Sequence, residues 1–122
     1  MAWEAEDIPD DSHVFMRVHR TAYDFDDGKP LPVAFRDHGG GMSTDWDKYS
    51  TAQDSRQRSR EPEDNAVISL QVRSVRGIAG LSVVHTPDEE HNNRAHTDVQ
   101  GDKKRTGVRL QLRQISRVEI PL

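Results

Sequence analysis

Residues 13–19, HVFMRVH, alternate without a break: Val14, Met16 and Val18 fall on one side, and His13, Phe15, Arg17 and His19 on the other. A period of two fits a β-strand and not a helix, because successive strand side chains point to opposite faces. A chain built on such strands needs a sheet with one packed face and one wet face. The same pattern returns in "AVISLQV", where Ile68, Leu70 and Val72 oppose Ser69, Gln71 and Arg73, and in "LSVVHTP", which Pro87 stops. "RAHTDVQG" reads as a further strand ended by Gly101. Leu70 and Val84 lie mid-run, and the short "RSVRGIAG" between them is expected to keep them adjacent, as core residues on neighbouring strands.

Helices are fewer. "YSTAQD" carries a start signal, with Ser50 or Thr51 as cap and Gln53 or Asp54 at capping-box spacing. The closing segment is two-sided. Arg105, Arg109, Arg113 and Arg117 repeat every four residues as on a helix, while Val108, Leu110 and Leu112 also alternate as in a strand. A helix over about 103–115 followed by a strand at "RVEI" is the favoured reading. "DFDDGKPLP" reads as a turn, "VAF" as a short strand, and "RSVRGIAG" as a turn or single helical coil. The three glycines of "DHGGGMST" argue against regular structure there. Only 33% of the 122 residues are hydrophobic and 31% are charged, so the core must be lean. The expected fold is α+β: a small mixed or mostly antiparallel sheet of four to five strands with one or two helices. An acidic flexible N-terminus over 1–11 precedes a single domain over 12–122. Residues 56–64, charged and without apolar periodicity, are expected to pack weakly.

Several function classes drop out. There is no cysteine, so disulfides and thiolate metal sites are excluded. No apolar run reaches the roughly 18 residues of a membrane span. The N-terminus, MAWEAEDIPDD, is acidic where a signal peptide is basic and then apolar, so the cytoplasm is the expected compartment. His91 and His96 are five apart and His13 and His19 six apart, spacings that match no zinc motif. No metal and no cofactor are therefore expected. "HRTA" at 19–22 brushes a two-histidine phosphoesterase motif, but neither His85 nor His96 completes the required second copy.

What remains is a set of polar residues with an affinity for anions. His13, Arg17 and His19 share a strand face, and an arginine beside histidines can hold a phosphate while a histidine moves a proton. The glycines before Ser43 can turn backbone N–H groups inward as an anion nest. In "NNRAHTDVQG", Arg94, His96 and Asp98 would share one face, with Asp98 orienting His96 and Asn93 forming the turn. The candidate ligand-binding residues are Arg17, His19, Ser43, Asn93, Arg94 and His96.

Ser43, Trp46 and Tyr49 (Ser-x-x-Trp-x-x-Tyr), His85 and Pro87 (His-x-Pro), and Asn93 to Gly101 (Asn-Arg-Ala-His-x-x-Val-x-Gly) form a pattern spread over about residues 13–117. It resembles a group of small uncharacterised bacterial proteins. The resemblance implies a bacterial protein and one compact unit containing both motifs; it implies no activity. Two function classes follow from the residues. One is a non-catalytic interaction module with a protein partner, as in a bacterial defence, toxin–antitoxin or phage-related assembly. The other is a domain that binds or processes a phosphate-bearing ligand, a nucleotide or RNA. They separate on one distance: the second requires Arg17 or His19 to share a cleft with His96.

Overall fold

The computed structural model describes residues 2–122. Among them the order of elements is β1 (His13–His19), β2 (Tyr23–Asp24), β3 (Lys29–Pro30), β4 (Met42–Trp46), α1 (Ala52–Gln57), β5 (Asn65–Gln71), α2 (Val72–Arg76), β6 (Ser82–His85), β7 (His96–Gln100), α3 (Thr106–Ile115) and β8 (Arg117–Ile120). Short 3-10 turns lie at Arg20–Ala22, Pro32–Ala34 and Pro62–Asp64. Six strands form one sheet in the order β6-β7-β4-β1-β5-β8, and β2-β3 make a separate ribbon. Every strand pair is antiparallel.

The α+β class and the antiparallel sheet agree with the sequence reading, but the strand and helix counts do not. The sheet has six strands rather than four to five, and there are three α-helices rather than one or two. β4 is the main addition. Its alternation starts directly after three glycines, and those glycines hid it. "VAF" forms no strand; Pro32 starts a 3-10 turn instead. The closing segment resolves as the helix α3 followed by β8.

One face of the sheet is the core. Val14, Met16 and Val18 of β1 lie beside Ile68 and Leu70 of β5, Met42 and Trp46 of β4 and Val99 of β7, all at most 4% exposed. Helix α2 carries the chain across this face, adding Val72 and Val75, and α3 adds Val108 and Leu112. The crossover corrects the expected Leu70–Val84 pair. Leu70 is fully buried on β5, but β1, β4 and β7 lie between it and β6 at the sheet edge, and Val84 is 38% exposed. Two consecutive valines leave the phase of alternation open, and it is Val83 and His85 that turn inward.

Of the two segments expected to be loose, residues 2–11 bury only Ile8 and residues 56–64 bury none, yet hydrogen bonds tie each to the fold. Ile8 is 5% exposed in the core. Arg76 donates to the Ile8 carbonyl at 2.7 Å and to Asp10 at 2.7 Å. The Glu6 backbone N–H donates to His85 Nδ1 (3.0 Å), and the Glu6 carboxylate holds Lys48 Nζ at 2.6 Å and the Tyr49 hydroxyl. In the second segment, Arg56 in the last turn of α1 donates to the Asn65 carbonyl (3.0 Å), and Arg58 just beyond the helix reaches Asp45 on the sheet.

Candidate functional site

The opposite face of the sheet is largely polar, and α1 packs over its β1–β5–β8 side. The registers Phe15↔Asp45, Asp45↔His96 and Ser43↔Asp98 place these side chains on that face, with Arg17 and His19 continuing it along β1. β1 pairs with β5 along its whole length but with β4 only through Val14↔Trp46 and Phe15↔Asp45. Beyond Phe15 the two strands split. The Asp47 N–H donates to the His13 carbonyl, and the Trp46 N–H donates to the Ala95 carbonyl. Alternation along each strand therefore turns the backbone N–H and C=O of Arg17 and Ser43 toward the split. A cleft of about 270 Å³ opens there, lined by Met16–His19, Met42–Asp45, Asn93 and His96, with Arg36 and His38 on the neighbouring loop.

Asp45 is the hub of the site and is 3% exposed. Its Oδ1 accepts from Asn93 Nδ2 at 2.8 Å; its Oδ2 accepts from Ser55 Oγ at 2.6 Å and Arg58 Nη1 at 3.1 Å. Arg17 Nη1 stands 3.7 Å from the same Oδ2 and donates to the Ser55 carbonyl at 2.8 Å. Helix α1 supplies these partners because Thr51 and Asp54 cap it reciprocally: Asp54 N donates to Thr51 Oγ1 at 3.0 Å, and Thr51 N to Asp54 at 3.1 Å. A buried carboxylate is tolerated only with such pairing. Here two guanidinium groups share one carboxylate, so the cluster keeps a net positive charge at the cleft. Burial pushes the Arg17 pKa below its ordinary value; Asp45 opposes that shift and Arg58 adds to it. Arg17 remains a cation at neutral pH.

His96 is half-buried, and its ring is held on both sides. Nδ1 lies 2.9 Å from the Thr86 carbonyl oxygen and 3.0 Å from Thr86 Oγ1. The carbonyl can only accept, so the neutral ring carries its proton on Nδ1. The lone pair of Nε2 then faces Ser43 Oγ, which donates to it over 3.3 Å. His19 is arranged the other way round: Nδ1 accepts from the Thr21 N–H (3.2 Å), which leaves Nε2 as the N–H of the neutral ring.

Five of the six sequence candidates, Arg17, His19, Ser43, Asn93 and His96, line this one cleft. Arg94 does not. β7 begins at His96, so strand alternation never reaches Arg94; its guanidinium stacks 4.4 Å over the Tyr49 ring and lies 3.8 Å from Glu6. Asp98 shares the face of His96 but does not orient it, since Thr86 does. Asp98 instead lies under Gly41, where an added Cβ would sit 3.0 Å from the Asp98 Cβ. Trp46 and Tyr49 pack edge-to-face at 5.6 Å, with Trp46 in the core. Asp45, Ser55 and Arg58 were missed in the sequence. The alternation Ser43–Asp45 was the one available signal.

Histidine spacing along the chain gives no metal motif, yet the fold brings His19, Glu61 and Asp64 together, with ligand atoms within 4.8 Å of one another. Arg20 stands 3.7 Å from Asp64 and competes for that carboxylate. No family model, curated protein sequence or solved structure matches the chain. The reading of the site therefore rests on its geometry.

Proposed function

We propose that the β1–β4 cleft binds a phosphate-bearing ligand, a nucleotide or RNA. The observation that carries this reading is the pairing of Arg17 and Arg58 with the single carboxylate of Asp45. One guanidinium charge is left for an incoming anion, and Arg17 presents it to the cleft with a side chain 35% exposed. A planar guanidinium is suited to phosphate oxygens, and backbone N–H groups at the split add neutral donors. His19 and His96 flank the position, one offering an N–H and the other a lone pair. Such a ligand also fits the cytoplasmic compartment expected from the sequence.

NMR titration with inorganic phosphate and with AMP tests the reading. Amide shifts are expected at Arg17, His19, Ser43 and His96, with affinity falling as salt rises. Arg17→Gln removes a charge-assisted hydrogen bond of about 1.5–3 kcal/mol, so binding should weaken on the order of 10- to 100-fold. Shifts scattered over the surface, or equal binding by R17Q, would sink the proposal.

A non-catalytic module with a protein partner is the second reading. Phe25, Val33 and Leu110 are large apolar residues between 47% and 58% exposed, and α3, which carries Leu110, packs against the Pro32–Ala34 turn that holds Val33. Under that reading, Leu110→Lys abolishes partner binding and R17Q leaves it intact.

A further inference from the structure

The Ser43–His96–Thr86 chain has the arrangement of an activated nucleophile: a hydroxyl on a histidine lone pair, with the histidine's other nitrogen fixed by an acceptor. We propose that Ser43 is a catalytic nucleophile that takes a phosphoryl group from a phosphoester, with His96 as its general base. The substrate class rests on the phosphate-binding reading above.

The Thr86 carbonyl can accept only from Nδ1–H, so it fixes the tautomer and aims Nε2 at Ser43 Oγ. Ser43 and His96 are half-buried and line the cleft, where a ligand can reach the hydroxyl. Extending the Phe15↔Asp45 register by two residues sets Ser43 across the split from Arg17. A phosphoester held by Arg17 therefore lies beside the hydroxyl. The Ser43 and Arg17 backbone N–H groups, unused by the ladder, face the same space. The 3.3 Å Oγ–Nε2 separation is of the kind that tightens when substrate binds.

In the first step Ser43 Oγ attacks phosphorus, the Oγ–P bond forms, and the bond from phosphorus to the leaving oxygen breaks. The hydroxyl proton passes to His96 Nε2 and then to the leaving oxygen. In the second step water attacks the phosphoserine, the Oγ–P bond breaks, and the water proton returns through His96 to Ser43 Oγ. The products are inorganic phosphate, or a phosphomonoester when the substrate is a diester, together with the released alcohol.

A fluorophosphonate ester tests the nucleophile independently of phosphate binding. Attack by Ser43 forms Oγ–P, breaks P–F and releases fluoride, leaving a stable adduct readable by intact mass and peptide mapping. We expect one adduct per chain, on Ser43, formed more slowly when inorganic phosphate is present. Ser43→Ala should abolish it. His96→Asn, which keeps a donor for the Thr86 carbonyl, should slow it on the order of 100-fold, the usual contribution of a general base. Circular dichroism of both variants checks that they are folded. No adduct on Ser43 in the folded wild-type protein, or equal labelling of H96N, overturns the nucleophile, and phosphate binding measured by NMR can survive that result. Labelling that phosphate does not slow, at a concentration where NMR shows phosphate bound, overturns the phosphoryl substrate class; absence of phosphate binding by NMR overturns the reading on which it rests.

Discussion

Replacing Asp45 with Asn should weaken the fold and strengthen phosphate binding in the same molecule. The carboxylate accepts three hydrogen bonds of 2.6–3.1 Å and faces a second guanidinium at 3.7 Å. An amide of the same shape keeps one acceptor oxygen but turns an N–H₂ toward a donor, either Asn93 Nδ2 or the Ser55–Arg58 pair. Breaking a buried ion pair from one side costs about 3–5 kcal/mol. The side chains of Arg17 and Arg58 are 35% and 29% exposed and can recover some hydration, which favours the lower end. We therefore expect a loss of about 3 kcal/mol, seen as a lower urea midpoint at unchanged m and a melting temperature lower by roughly 10 °C. The same change removes the one negative charge held between Arg17 and Arg58, so phosphate should bind D45N more tightly wherever the variant is folded. A stability loss below about 1 kcal/mol would show that Asp45 is not the hub. Weaker phosphate binding by folded D45N would show that Arg17 acts through its placement and not its uncompensated charge.

Two further perturbations check the fold and one surface pair. Leu70 is fully buried between β1 and the helices, so Leu70→Ala should cost about 2–5 kcal/mol in chemical denaturation; a loss under 1 kcal/mol would contradict its place in the core. In the turn before β7, His91 Nδ1 lies 2.8 Å from Asp88, and this hydrogen bond raises the His91 pKa and lowers that of Asp88. The raised histidine contributes stability below its unfolded value, lost as pH rises through its folded pKa. The lowered aspartate contributes above its unfolded value, lost as pH falls through its folded pKa. The pair should thus be fully formed between the ordinary values of about 3.9 and 6.5. The His91 ring protons should titrate above about 6.5 and return there in Asp88→Asn; an unchanged midpoint in D88N would refute the pairing.

The sheet was legible where alternation is clean and strands are flanked by breakers. β1 and the buried run of β5 are read correctly because Val14, Met16, Val18, Ile68 and Leu70 leave one phase open. At "SVV" two valines allow either phase, and the exposed Val84 shows which one the core selected. Strand order was not legible. The eight residues "RSVRGIAG" look too short to cross a sheet, but α2 uses them as a helical crossover against the core, held there by Val72, Val75 and Ile78. Local sequence carries the propensity for a helical turn; the distance that turn spans is set by packing.

The site was legible in its residues and not in its wiring. Arg17, His19, Ser43 and His96 stand out singly because polar residues at period two need a wet face. Their convergence depends on β4 entering between β1 and β7, and β4 is the strand the glycines concealed. Asp45 carries no signal of its own in the sequence, lying just beyond the three glycines that argue against regular structure; only the registers Phe15↔Asp45 and Asp45↔His96 make it central. Arg58 had still less signal, lying in a charged run that reads as solvated surface. What brings it inward is the capped helix α1, which packs on the polar face of β1 and β5. A helix that covers only half of a polar sheet face must satisfy the groups it buries, and Ser55, Arg58 and Asp45 do so for one another. The uncovered half holds the rest, and there Arg17, Ser43 and His96 remain open to a ligand.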